Sequence, residues 1–203
     1  MVKDREQIPC ELTVIPCEGW KRNMIFPETG QTFIMPSLGI PRFETALLYT
    51  GTCLVEGTNL SEGRGTSCPF EIIGAPYIKS SELVSYLRGQ DLPGVAFTPA
   101  YFTPTSSKHQ GVFCQGVHIH ITDYKEYESY KTGLVLLEGI RNLYPNEFDI
   151  LPPKSEGGRH FISLLSGNGS LTRTNWTSKG ILEENEKALN EFKTIKQKYH
   201  LYE

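Results

Sequence analysis

"GVFCQGVHIHITD", residues 111–123, carries the clearest strand signal in the chain. Val117, Ile119 and Ile121 alternate with His118 and His120, the period of two that sends successive side chains to opposite faces of a sheet. Val112 and Cys114 keep the same spacing on the other side of Gly116. The register shifts there, and a β-bulge is expected. Two imidazoles therefore share one face of a strand whose other face is apolar. They can line a pocket or hold a metal, or they can be solvated, and no third ligand stands close in sequence.

Working outward, "FEIIGAPYI" (70–78) and "GVAFTPAYFTP" (94–104) read as further strands. Pro99 restricts the second to an edge strand or an extended loop. "ELTVIP" (11–16) and "TFIMPS" (32–37) have β-type alternation as well. "IPRFETALLYTG" (40–51) reads as a helix with Pro41 in its first turn and Gly51 as a stop. "SSELVSYLRG" (80–89) is a serine-capped helix with a glycine exit. Asp123 is placed to cap a helix over 124–144, closed by Pro145. "RHFISLLSG" (159–167) reads as a short strand or turn. The segment 181–199 spaces Leu182, Leu189, Phe192 and Tyr199 as one face of an amphipathic surface helix packed on the core. Strands and helices alternate without a strict βαβ rhythm. The expected fold is α+β, a single mixed, largely antiparallel sheet with helices packed on it.

Composition bounds the function. The net charge of −3 shows no basic face, which argues against a nucleic-acid partner. No apolar run approaches the roughly 20 residues needed to span a bilayer. The N-terminus has no secretory apolar core. The five cysteines include no CxxC pair, so neither a zinc framework nor a regular disulfide framework is expected, and mostly reduced thiols are.

The most polar stretch is "EGTNLSEGRGT", residues 56–66. Gly57, Gly63 and Gly65 permit tight turns whose N–H groups can face an anion. Arg64 offers a planar fork for a carboxylate or phosphate. Glu56 and Glu62 can act as acid, base or hydroxyl acceptors. The same residues can equally close on themselves, Arg64 pairing with Glu56 or Glu62. The spacing is neither a phosphate-binding loop nor a dinucleotide fingerprint, and no cofactor is implied. "TPAYFTPTSSKHQG" (98–111) adds aromatic rings and hydroxyls suited to carbohydrate, with His109 expected in an exposed turn. Trp20 and Trp176, near Lys21, Arg22 and Arg173, are candidate sugar platforms or packing residues.

"YTGTCLVEGTNLSEGRGTSCPFEIIGAPYI" (49–78), with "LTVIPCEGWKR" (12–22), "FCQGVHIHITD" (113–123) and "KQKYHLY" (196–202), resembles the DUF1343 family of NamZ-type exo-β-N-acetylmuramidases. The resemblance covers nearly the whole chain. It implies that residues 1–203 form one domain, the C-terminal, auxiliary part of such a protein. An N-terminal Rossmann-like domain, not contained in this chain, would be its partner and carry the catalytic glutamate.

The implied substrate is a cell-wall glycan or muropeptide, from which terminal N-acetylmuramic acid is released in peptidoglycan recycling. An extracytoplasmic location of the full-length protein would follow. Glu62, or else Glu56, would be the catalytic partner group. Asn59, Ser61 and Arg64, with His118 and His120, would bind substrate, Arg64 taking the lactyl carboxylate. No metal is implied. A non-catalytic glycan-binding module and a domain-docking module are the alternatives. Two positions depart from the family pattern: "SLGIP" (37–41) has Leu38 and Gly39 where proline and asparagine are usual, and Ser163 replaces an aspartate.

Overall fold

The computed structural model describes residues 1–202. The chain divides into two compact units, one made of 1–32 with 182–203 and the other of 33–181. In the first, a short helix α1 (Val2–Arg5) and a 3-10 turn (Phe26–Thr29) are joined by extended chain. Trp20 meets Tyr202 edge-on at 4.7 Å, and the Tyr202 hydroxyl accepts the Cys17 N–H.

The second unit is built on three strands. These are β1 (Ile72–Ala75), β2 (Val95–Phe102) and β3 (Cys114–Ile121), in spatial order β1-β3-β2 and antiparallel throughout. The strongest strand pattern is thus the central strand, flanked by two edges. Pro99 lies on edge strand β2, where one side needs no ladder N–H.

Pairing is continuous, Ile72 opposite His118 through Ala75 opposite Gln115, so the bulge expected at Gly116 does not form. Gly116 faces Gly74 across the ladder, and a Cβ on it would fall on the Ile73 carbonyl. The register break in the apolar pattern marks a close backbone approach, which a missing side chain signals as readily as a bulge does.

Helices α2 (Phe43–Thr52), α3 (Ser80–Arg88) and α4 (Ser129–Leu143) form the layer around this sheet. α3 packs on β2, β3 and α4, and α4 packs on α2. Leu83, Leu87, Phe97, Val117, Ile119, Leu134 and Leu137 form the buried core. Gly51 and Gly133 let α2 and α4 touch backbone to backbone, since a Cβ on Gly133 would lie 2.5 Å from the Gly51 carbonyl oxygen.

The α+β expectation holds, with several elements changed. Residues 11–16 and 32–37 form no ladder; Leu12, Val14, Ile15 and Ile34 are exposed. Alternation makes a strand only when a neighbour accepts its hydrogen bonds. Asp123 caps a turn, accepting the Lys125 and Glu126 N–H groups, and α4 begins at Ser129. Residues 159–167 contain a helix, α5 (Phe161–Ser166), stopped by Gly167 at φ 81°. The last helix, α6 (Ser178–Gln197), buries Ile181 but leaves Leu189 and Phe192 exposed.

Gly133→Ala should lower stability by about 1–3 kcal/mol, read as a lower urea midpoint, because the added methyl must push α2 from α4. Gly169→Ala is the control, its Cβ meeting only the Thr172 hydroxyl at 3.7 Å.

Candidate functional site

The polar stretch 56–66 folds into a bend that is mostly buried. Leu60 is fully enclosed and anchors it. Gly63 and Gly65 adopt φ of 74° and 76°. Backbone bridges join Thr58 to Ile150 and Ser61 to Gly74. Buried polar groups must be paired, and the bend meets that requirement through long-range partners.

Two of the expected substrate contacts also hold the bend together. Asn59 donates its amide to the Glu147 carbonyl and accepts from the Tyr77 hydroxyl and the Asp149 N–H. It pins residues 145–150 to the bend. Ser61 is buried, and its hydroxyl accepts the Gly63 N–H at 3.2 Å.

The carboxylates form a charged knot. The Glu62 side chain is 3% exposed, with Arg64 Nε at 3.2 Å and Lys108 Nζ at 3.0 Å. The Ser107 hydroxyl donates to it at 2.9 Å. Arg64 also reaches Glu56 at 3.1 Å and stacks over the Phe70 ring. The self-paired reading of the bend is therefore realised for Arg64, whose side chain nonetheless stays 39% exposed. Glu56, 18% exposed, has the Tyr49 hydroxyl at 3.4 Å. Of the two glutamates, Glu56 reaches solvent, and Glu62 is enclosed.

Lys108 was not singled out in the sequence. Its ammonium donates to the carbonyls of Val55 and Thr58, both at 2.9 Å, as well as meeting Glu62. Burial lowers its pKa, and the Glu62 charge opposes that shift. Nothing in its local sequence announces this, because its partners lie about fifty residues earlier. His109, expected to be exposed, is half-buried and bonds the Asn59 carbonyl at 2.7 Å.

The same loop wraps the bend at Gly65, where Thr105 donates both its N–H and its hydroxyl to the Gly65 carbonyl. Gly39, a position that departs from the family pattern, packs against the knot. A Cβ there would lie 3.2 Å from Arg64 Nη1.

A second cluster occupies the outer face of β3. His118 and His120 lie on one face, ring centres 4.1 Å apart, as the alternation requires. His120 pairs with the Thr98 hydroxyl at 2.8 Å on β2. Burial, then the neighbouring His118, lowers the His120 pKa. Glu71, buried beside them, is bonded by Arg42 and Thr45 and lies 3.7 Å from His118 Nε2. Burial alone would raise the Glu71 pKa. The adjacent His118, hydrogen bonds from Thr45 and Arg42, and the Arg42 charge outweigh it, so the carboxyl sits below its usual range. Arg42, Glu44, Glu71, His118 and His120 line a cavity of about 170 Å³.

Phe70 joins the two clusters. It is buried with φ 62°, a conformation that bulky residues avoid and that marks stored strain. Its ring lies under Arg64, and the next residue is Glu71.

The tryptophans separate. Trp176 is buried under the Arg141 guanidinium, at 4.2 Å, and is a packing residue. Trp20 lines a concavity of about 720 Å³ with Lys21, Arg22, Asn23 and Tyr202. All five cysteines are free thiols. Among the described residues no helix is long and apolar enough to cross a membrane.

Comparison with known proteins gives the family of the chain. The family model "Exo-beta-N-acetylmuramidase NamZ, C-terminal" matches residues 47–202, and "Exo-beta-N-acetylmuramidase NamZ, N-terminal" matches residues 1–44. The peptidoglycan beta-N-acetylmuramidase NamZ of Bacillus subtilis (strain 168) is 44% identical over 198 residues, covering 96% of this chain and 46% of that protein. A crystal structure of a DUF1343 family protein from Bacteroides fragilis NCTC 9343 superposes with TM-score 0.85 at 27% identity, over 100% of this chain and 54% of that one. A second such protein from the same organism shares the fold, with TM-score 0.61 at 23% identity, over 100% of this chain and 53% of that one. The chain thus spans about half the length of the relatives it matches.

Two measurements test the pairing. Lys108→Met should lower stability by about 3 kcal/mol in urea unfolding, because it removes the buried partner of Glu62 and two carbonyl caps. For Glu71 the folded pKa lies below the unfolded one. Its stabilisation is therefore complete above the unfolded value of about 4.3 and is lost as pH falls through the folded value. The urea midpoint of the parent should exceed that of Glu71→Gln at pH 7, and the gap should close in acid below that range.

Proposed function

We infer a function from one premise: the chain belongs to the exo-beta-N-acetylmuramidase NamZ family, whose C-terminal model matches most of its length. It is the C-terminal part of a peptidoglycan-degrading glycoside hydrolase and forms one wall of a cleft for a muramyl sugar. The observation that carries this reading is the Glu56–Arg64 pair. It reaches solvent from a mostly buried bend, where Arg64 and Lys108 both pair with Glu62.

Glycosidases use two groups flanking the scissile bond, one to protonate the leaving oxygen and one to assist attack on the sugar. In this reading the acid comes from an N-terminal, Rossmann-like domain, and Glu56 is the partner group. Glu62 positions Arg64, and through it Glu56. Arg64, His118 and His120 face the sugar. Asn59 and Ser61 shape the wall by holding the bend.

The match of residues 1–44 to the N-terminal family model supports a partner domain of that type. Exposed Leu12 and Val14 in that stretch have the alternation of a strand and suit pairing with a sheet of that domain. The substrate named for the Bacillus relative supports an extracytoplasmic location for the complete protein and a role in cell-wall turnover. One observation favours a second reading, a glycan-holding module without hydrolysis: Glu62 is enclosed and doubly ion-paired, so this chain offers a single accessible carboxylate in the bend.

The test is hydrolysis of a chromogenic β-N-acetylmuramide by this chain, by the N-terminal half of the Bacillus relative, and by the two mixed. Activity is expected only in the mixture. Glu56→Gln should lower it about 100-fold or more, the usual worth of a positioned acid–base group. Hydrolysis by this chain alone would overturn the division of labour. Sugar binding without hydrolysis by the mixture would establish the second reading.

A further inference from the structure

We propose that Cys68, Glu71 and His118 form a binding site for one divalent transition-metal ion, with Zn²⁺ the best match. Their ligand atoms, a thiol sulfur, a carboxylate oxygen and an imidazole nitrogen, all lie within 4.8 Å of one another. The sequence hides this set: two ligands flank a turn and the third arrives from the central strand, 47 residues beyond Glu71 by number (118 − 71).

The spacing suits shared coordination. His118 Nε2 is 3.7 Å from Glu71 Oε2, too far for a hydrogen bond. Two ligands held at 2.0–2.2 Å by a tetrahedral ion stand about 3.4 Å apart, so the pair is already near that separation. Sulfur with imidazole and carboxylate is a zinc-type donor set, softer than magnesium or calcium sites accept. Three protein ligands leave a fourth position for water or a ligand. His120 stays outside the set, its Nε2 engaged with Thr98.

The surroundings point the same way. Thr45 donates to Glu71, the outer hydrogen bond that ligating carboxylates commonly carry. Glu44 lines the same cavity, so two carboxylates face one guanidinium there. That guanidinium, Arg42, is the competitor, since it pairs with the oxygen a cation would take. Its side chain is 52% exposed and can swing into solvent. Binding forms the metal–sulfur bond and releases the Cys68 thiol proton to water. The ion then replaces Arg42 on Glu71 and fastens the 67–71 turn to the centre of β3. This site shares His118 with the proposed sugar-facing wall, but its argument does not rest on the hydrolase reading and its test does not use activity.

Co²⁺ reports the site optically. The full chain is titrated under reducing conditions, with Cys10 and Cys17, the exposed thiols, replaced by serine. One equivalent should bind, giving a thiolate-to-cobalt charge-transfer band and the strong visible bands of tetrahedral cobalt. One equivalent of Zn²⁺ should abolish both. Cys68→Ser should lose the charge-transfer band. His118→Gln should weaken binding by more than about tenfold, the loss that removing even an outer partner brings. Circular dichroism of each variant checks that it is folded. A parent protein without the band, or a band that survives in folded Cys68→Ser, would overturn the proposal.

Discussion

Everything around the bend depends on Glu62 having two cations. A carboxylate that is 3% exposed is held in place by partners that replace its lost water, and Arg64, its near neighbour in sequence, and Lys108, from a distant loop, do so. Arg64 comes from the bend itself. Lys108 comes from the loop between β2 and β3, and it also caps the Val55 and Thr58 carbonyls. The knot therefore closes a glycine-rich turn that has little apolar surface to hold it. Because Arg64 is fixed on one side by Glu62, it can present Glu56 on the other.

The sheet face follows from a different constraint. Gly74 and Gly116 meet where β1 and β3 pair, so the two backbones approach with nothing between them. Beyond that point His118 and His120 rise beside the buried Glu71, and Arg42 and Thr45 close on it from the start of α2. The left-handed backbone at Phe70 makes both arrangements possible at once. It turns one ring under Arg64 and sends the next carboxylate toward β3. A strained bulky residue persists only where its surroundings over-determine it, and here two charged clusters do so.

The match of this chain to both halves of the family places the change at residues 44–47, where α2 begins its course. Apolar residues in the first stretch are exposed although their alternation is that of a strand. In the second stretch the equivalent patterns are paired and buried. The contrast is physical: identical alternation yields a ladder in one place and open chain in the other, depending on whether neighbouring strands are supplied.

Period-two spacing alone identified β3, and the apolar stripes with their glycine and proline stops identified α2 and α3. These signals are local, because they arise from backbone geometry repeated every few residues. The facing of His118 and His120 was readable for the same reason. The polar bend was visible as a candidate site, but its internal roles were not. Asn59, Ser61 and Glu62 look alike in sequence as convergent polar groups, and only packing decides which are enclosed. Lys108, His109, Arg42 and Cys68 acquire their meaning from partners far along the chain. Pairing across tens of residues is set by how helices and strands stack, and a single sequence carries no periodic trace of it.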